Sequence, residues 1–167
     1  MVLDFDKELQ NALENISFQK YNQFSVHLDE KERDLHSSCE LISIYGDAKH
    51  QIVELLNQQF STIKFDLINW INDNKNDELS YFLNEAGSNC LNYSQYKIPA
   101  MFHLWIGEKG FVVAVEQKGL GFNAQEIDNQ RVKENEGAAF DFYRNCKGVV
   151  FFDNSSEAKI VYFQHLF

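Results

Sequence analysis

Two apolar segments joined by a short turn place the strongest constraint on the fold. In residues 100–106, apolar side chains alternate with others, the apolar positions being Phe102, Leu104 and Ile106. Residues 110–117 contain the apolar run Phe-Val-Val-Ala-Val at positions 111–115, and Gly107-Glu108-Lys109 separates the two segments. An alternating segment and an apolar segment on the two sides of a short glycine-containing turn are typical of a β-hairpin. The fold must therefore contain an antiparallel sheet.

Four further segments have the composition of strands. Residues 22–28 alternate between apolar and polar side chains, which predicts a half-buried strand. Residues 39–45 predict the next strand along the chain, and Gly46-Asp47 ends it. At the end of the sequence, residues 148–153 and 157–165 predict a second hairpin around the turn Asn154-Ser155-Ser156.

Helical periodicity occurs in the segments between the strands. It predicts a helix over residues 4–16, another over 63–72, and a third that Asp47 caps and that carries Ile52, Leu55, Leu56 and Phe60. A further helix follows Glu136-Gly137, with Ala138, Ala139, Phe142 and Cys146 in phase. Residues 123–135 are polar and lack strong periodicity, which predicts a mobile loop.

This order of elements predicts an α+β fold. The expected architecture is a two-layer α/β sandwich, in which a mixed, mostly antiparallel sheet is covered by helices on one face. The chain of 167 residues contains no repeats and no linker-like stretch, so one main domain is expected. We predict this domain over residues 39–167, with residues 1–38 as an N-terminal extension, a helix plus a strand, packed on the core.

Charge and cysteine content narrow the choice of partners. The formal net charge of -10 disfavours nucleic acid and anionic membrane surfaces as partners. A basic protein partner fits better, as does a ligand held by backbone groups and a metal. The first ten residues lack the basic region of a signal peptide, and no apolar run approaches membrane-spanning length. The three cysteines are far apart, which indicates free thiols and predicts a cytoplasmic location.

An amphipathic helix around residues 79–93 carries the first candidate site. Leu79, Phe82, Leu83, Ala86 and Cys90 form its apolar stripe. Glu85 and Asn89 stand four residues apart, so their side chains leave the same side of the helix. Such a pair can serve a nucleotide, with Glu85 as a base for a hydroxyl and Asn89 as an oxygen ligand for Mg²⁺. Alternatively, both side chains simply face water, as polar residues on such helices usually do.

Glycines further along the chain give this pair a candidate pocket. The second arm of the hairpin runs into Gln117, Gly119, Gly121 and Phe122, and Gly137 begins the following helix. Glycines allow the backbone to approach a ligand closely, and amides at a helix N-terminus can hold phosphate oxygens. The same glycines could also serve only to end a strand and to relax the start of a helix.

In this order, the motifs resemble those of the GHKL (Bergerat-fold) ATPases, a superfamily with a histidine-kinase-like ATPase fold. The chain looks most similar to the small anti-sigma-factor serine kinases, over roughly residues 39–167. The resemblance implies that Glu85 is the general base and that Asn89 binds Mg²⁺. It places Gln117, Gly119, Gly121 and Phe122 at the adenine side of an ATP site. It further implies that residues 123–136 form the ATP lid and that Gly137 begins the lid-closing motif.

Several positions depart from the family pattern. Gln117 stands where the family has an Asp that accepts a hydrogen bond from the adenine amino group. A glutamine can accept the same bond through its amide oxygen, but the charge-assisted character is lost. Ala139 replaces the second lid glycine, and Tyr93 replaces a residue that is often His or polar. Guanine nucleotide, or no nucleotide, therefore remains open alongside ATP.

The resemblance implies an ATP-binding, Mg²⁺-dependent serine/threonine kinase that acts in bacterial signalling by partner switching. Its expected partner is a sigma factor or an anti-anti-sigma-like protein, with a homodimer as a further candidate assembly. The alternative is a non-catalytic module of the same fold that works by holding a protein partner. An α+β domain with no nucleotide history is the third hypothesis.

Overall fold

The computed structural model describes residues 3–25, 46–60, 79, 82–83, 86, 101–117, 119–134 and 138–167. Its core is a five-stranded antiparallel sheet with strand order β1-β2-β3-β5-β4. The strands are β1 (Phe18–Ser25), β2 (Met101–Gly107), β3 (Gly110–Glu116), β4 (Val149–Phe152) and β5 (Ile160–Leu166). The helices are α1 (Leu9–Ile16), α2 (Gly46–Gln59), α3 (Ala124–Glu134) and α4 (Ala138–Asn145). The predicted α+β class is confirmed.

The β2–β3 hairpin forms as the alternation predicts. Its register pairs Phe102 with Val115 and Leu104 with Val113, and all four side chains are buried. We call the surface that carries them the first face of the sheet. The opposite, second face carries Val112 and Ala114, which are also buried. Because both faces of β3 are covered, its sequence is almost uniformly apolar.

The larger core lies on the first face. It joins the inward side chains of the sheet to α2, α4 and the helical residues 79, 82, 83 and 86. Aromatic rings make much of this contact, since the Phe82 ring stacks on Phe163 at 5.4 Å between centroids and tilts against Tyr143 at 6.0 Å. Side chains of this size contribute strongly to core stability. The predicted layer of helices on the first face is therefore present.

Helix α1 adds a smaller core on the second face. Ala12 and Ile16 of the helix are fully buried there, in a cluster with Phe151 and Tyr162. The chain before α1 forms a parallel bridge between Leu3 and Val150 of β4. The chain after it forms β1 at the other edge, paired with β2. Residues 3–25 therefore cross the second face from one edge of the sheet to the other.

Other boundary predictions have mixed outcomes. The helix carrying Ile52 and Leu56 is confirmed as α2, but it begins at Gly46, so Asp47 lies within the helix rather than capping it. The closing hairpin is confirmed as β4 and β5. The predicted strand over residues 39–45, the predicted helix over 63–72 and the proposed domain boundary at residue 38 lie outside the described residues. None of the helices in the described part of the chain has the length and hydropathy needed to cross a membrane.

The prediction of a mobile loop over residues 123–135 is wrong, because residues 124–134 form α3. The side-chain oxygen of Asn123 accepts a hydrogen bond from the Glu126 backbone N–H at 3.0 Å, which caps the helix. Ala124 and Asp128 are buried on its inner side. The helix thus docks through a small residue and a carboxylate, neither of which contributes to apolar periodicity.

Candidate functional site

Gln117 ends the β3 strand at the start of the predicted adenine-side turn. Its backbone N–H donates to the Lys159 carbonyl at 2.9 Å. This bond extends the pairing between β3 and β5 by one residue beyond the end of β3. The residue as a whole is 9% exposed, and its side-chain Nε2 donates to the Leu120 carbonyl at 3.2 Å. The carboxamide therefore holds the turn together. It can still offer its oxygen as an acceptor and a second N–H as a donor.

The two predicted glycines of the turn have different physical roles. Gly119 has φ 110°, a value that L side chains rarely adopt, so glycine is favoured there by its backbone conformation. At Gly121, an added Cβ would lie 2.5 Å from the Glu157 carbonyl carbon and oxygen. That separation is too short for a real contact, so Gly121 allows the turn to pack directly on the β4–β5 connection.

Phe122 completes this packing. It exchanges two backbone hydrogen bonds with Ala158, at 3.0 and 2.7 Å, and its ring meets Phe152 edge-on at 6.1 Å. The glycines were predicted to let the backbone approach a nucleotide closely. In the structure, the backbone of this turn instead lies close to the backbone of Glu157 and Ala158. This contact gives Gly121 and Phe122 a structural reason to be present, independent of any ligand.

An ion pair fixes the predicted lid segment to the next helix. The Arg144 guanidinium of α4 meets the Asp128 carboxylate of α3 through two contacts, with Nε donating to Oδ1 at 2.7 Å and Nη2 to Oδ2. The Asp128 side chain is almost fully buried. Its hydrogen bond to Arg144 raises the pKa of the guanidinium above the ordinary value. Bidentate pairing of this kind defines orientation as well as charge, so α3 is docked on α4.

The structure brings four predicted site residues, Gln117, Gly119, Gly121 and Phe122, together in one turn. Glu85, Asn89 and Gly137 lie outside the described residues. No cluster of three or more His, Cys, Asp or Glu side chains suited to a metal ion occurs in the described part of the chain. The assignments of the base and of the Mg²⁺ ligand stay predictions.

A polar cluster that the sequence did not reveal lies on the second face. The Tyr21 hydroxyl is 2.7 Å from His103 Nδ1, and His103 Nε2 is 2.6 Å from a Glu116 carboxylate oxygen. The Trp105 ring lies against both aromatic rings. Burial, and then the charge of Glu116, raises the pKa of the Tyr21 hydroxyl. The three polar side chains of this cluster come from three adjacent strands, so no local sequence pattern could indicate it.

Lys49 is a second residue that the sequence reading did not single out. It lies on α2 in phase with the buried residues Ile52, Val53 and Leu56, and only 2% of it is exposed. Burial lowers the pKa of its ammonium group from 10.5 to about 8. A lysine in helical phase with an apolar stripe was the available signal for this position.

No family model and no curated protein matches this chain.

Proposed function

We propose that the chain is an ATP-binding regulatory protein of the anti-sigma-factor kinase type, acting in a bacterial partner-switching or signalling pathway. One observation carries the proposal. Strand β3 leads through the compact turn of Gln117, Gly119 and Gly121 into two helices and a final hairpin. This order of elements agrees with the one that the resemblance implies, and the agreement supports the proposal that the turn serves the adenine side of an ATP site.

In this proposal, the carboxamide of Gln117 reads the nucleotide base. Its oxygen accepts from the adenine amino group, while one of its N–H groups continues to hold the Leu120 carbonyl. Asn89 would hold Mg²⁺, which neutralises phosphate charge when bound. Glu85 would accept the proton of a substrate serine or threonine hydroxyl. The protein's contribution is then mainly positioning and electrostatic stabilisation, as in other phosphoryl transfers.

A second function, that of a non-catalytic module that holds a protein partner, is favoured by the packing of the turn. The space above Gly121 is occupied by the backbone of Glu157, and α3 is fixed through Asp128 and Arg144. These contacts within the protein give Gly121, Asp128 and Arg144 a structural role that requires no bound nucleotide. The two proposals share a fold and differ in whether ATP binds.

Thermal unfolding with and without ATP·Mg²⁺ separates the two functions. A ligand present at one hundred times its dissociation constant stabilises the folded state by about 2.7 kcal/mol. The ATP-binding proposal predicts an increase in melting temperature that depends on Mg²⁺ and loses this dependence in Asn89→Ala. An unchanged melting temperature at millimolar ATP·Mg²⁺ would contradict the ATP-binding function and favour the non-catalytic module that holds a protein partner. GTP·Mg²⁺ in a parallel titration reports on base preference.

A further inference from the structure

An open groove lies on the protein surface where α1, β1 and the β2–β3 turn meet. Its volume is about 520 Å³, and more of its lining is apolar than polar. Leu13 and Phe18 supply the apolar surface, and Phe18 is 43% exposed. Exposed aromatic surface of this kind is enriched where proteins bind partners.

The groove is held in shape by backbone hydrogen bonds. The Lys109 N–H donates to the Ile16 carbonyl at 3.0 Å, and the Glu108 N–H donates to the Ser17 carbonyl at 3.3 Å. Gly107 packs so closely here that an added Cβ would lie 2.0 Å from the Ile16 oxygen. These contacts tie the end of α1 to the hairpin, so a ligand would meet a surface that is already formed.

The charge of the groove has one sign. Among the described residues, its lining contains two carboxylates, Glu14 and Glu108, and no lysine, arginine or histidine. Gln10 donates to Glu14 at 3.3 Å and Gln19 donates to Glu108 at 3.0 Å. The C-terminal end of α1 adds the negative pole of the helix dipole, and its last turn has no basic residue. The apolar surface is therefore flanked by two carboxylates, Glu14 and Glu108.

We propose that this groove binds an arginine side chain, together with an adjacent apolar residue, from a basic segment of a partner protein. The guanidinium matches the carboxylates and can stack on the Phe18 ring, while the apolar neighbour covers Leu13. The net charge of -10 attracts such a partner over a longer range. This inference rests on the proposed regulatory function and names the chemistry of its partner.

The probe is a short peptide with blocked termini that carries one arginine next to one leucine, titrated into the full chain and followed by amide NMR shifts. We expect saturable shifts confined to residues 10–19 and 107–109. The double variant Glu14→Gln/Glu108→Gln should weaken binding by about tenfold, which corresponds to about 1.4 kcal/mol. The matched control Glu54→Gln/Glu157→Gln removes two exposed carboxylates elsewhere and should bind like the wild type.

A second peptide with neutral citrulline in place of arginine tests the role of charge. The proposal requires it to bind at least about tenfold more weakly. Equal binding of both peptides, equal losses in both double variants, or shifts spread over all acidic residues would overturn the proposal. These outcomes are independent of the ATP titration, because a protein that binds ATP but not the peptide would lose only this groove assignment.

Discussion

Buried Lys49 makes the stability of the protein depend on pH in a direction that can be worked out. Burial holds the pKa of its ammonium group at about 8, against 10.5 for the ordinary group. Between these values the unfolded chain holds a proton that the folded chain has released, so the free energy of unfolding rises with pH. This stabilisation is present above pH 10.5 and is lost as the pH falls through about 8. The whole change is on the order of 3 kcal/mol.

Urea unfolding at about pH 7.5 and about pH 9.5 measures most of this change. The wild type should gain about 2 kcal/mol relative to Lys49→Met between the two conditions, because methionine has a similar length and does not titrate. Lys20→Met removes an exposed lysine of β1 and should follow the wild type. Folding raises the pKa of the Tyr21 and Tyr162 hydroxyls above the ordinary 10.0, so these groups lower the free energy of unfolding as the pH rises above about 10, which lies outside the two conditions. Parallel pH dependence in the wild type and Lys49→Met would refute the reasoning.

Three further substitutions test the packing. Gly121→Ala should lower the free energy of unfolding by about 1–3 kcal/mol in the absence of nucleotide, measured in urea, because its Cβ would meet the Glu157 backbone. Arg144→Met should cost about 2 kcal/mol by the same measurement, since a buried carboxylate loses its charged donor. Gln164→Leu should leave stability unchanged or increase it, because the Gln164 side-chain oxygen is buried and accepts no hydrogen bond within the described part of the chain. A loss above about 1 kcal/mol in Gln164→Leu would contradict that assignment.

The parts of the fold that sequence predicted are those that local patterns determine. Alternation in residues 100–106 and the apolar run after the turn were enough for the β2–β3 hairpin, because a short turn fixes which residues face each other. Helix α2 followed from its apolar period. By contrast, α3 owes its position to Asn123 and to a charge partner sixteen residues away, Arg144. A contact of that kind has no periodic signature.

The residues of the candidate site likewise include some that a local sequence pattern predicts and others that depend on long-range contacts. The glycine turn was found because Gly119 and Gly121 mark places where a side chain is disfavoured, and both are so constrained in the structure. The sequence could not show that the close approach at Gly121 is to Glu157 rather than to a ligand. The polar contacts among Tyr21, His103 and Glu116 also depend on strand register, which is set by pairing between residues far apart in sequence.

The affinity of Gln117→Asp for ATP·Mg²⁺, compared with that of the wild type by isothermal titration calorimetry, tests the central claim most directly. If the turn reads adenine, a carboxylate in place of the carboxamide supplies a charge-assisted hydrogen bond and should tighten binding by about tenfold. Circular dichroism of the variant checks that the turn survives loss of the contact with Leu120. Weaker ATP binding by a folded Gln117→Asp protein, or no heat of binding from either protein at millimolar ATP·Mg²⁺, would contradict the account.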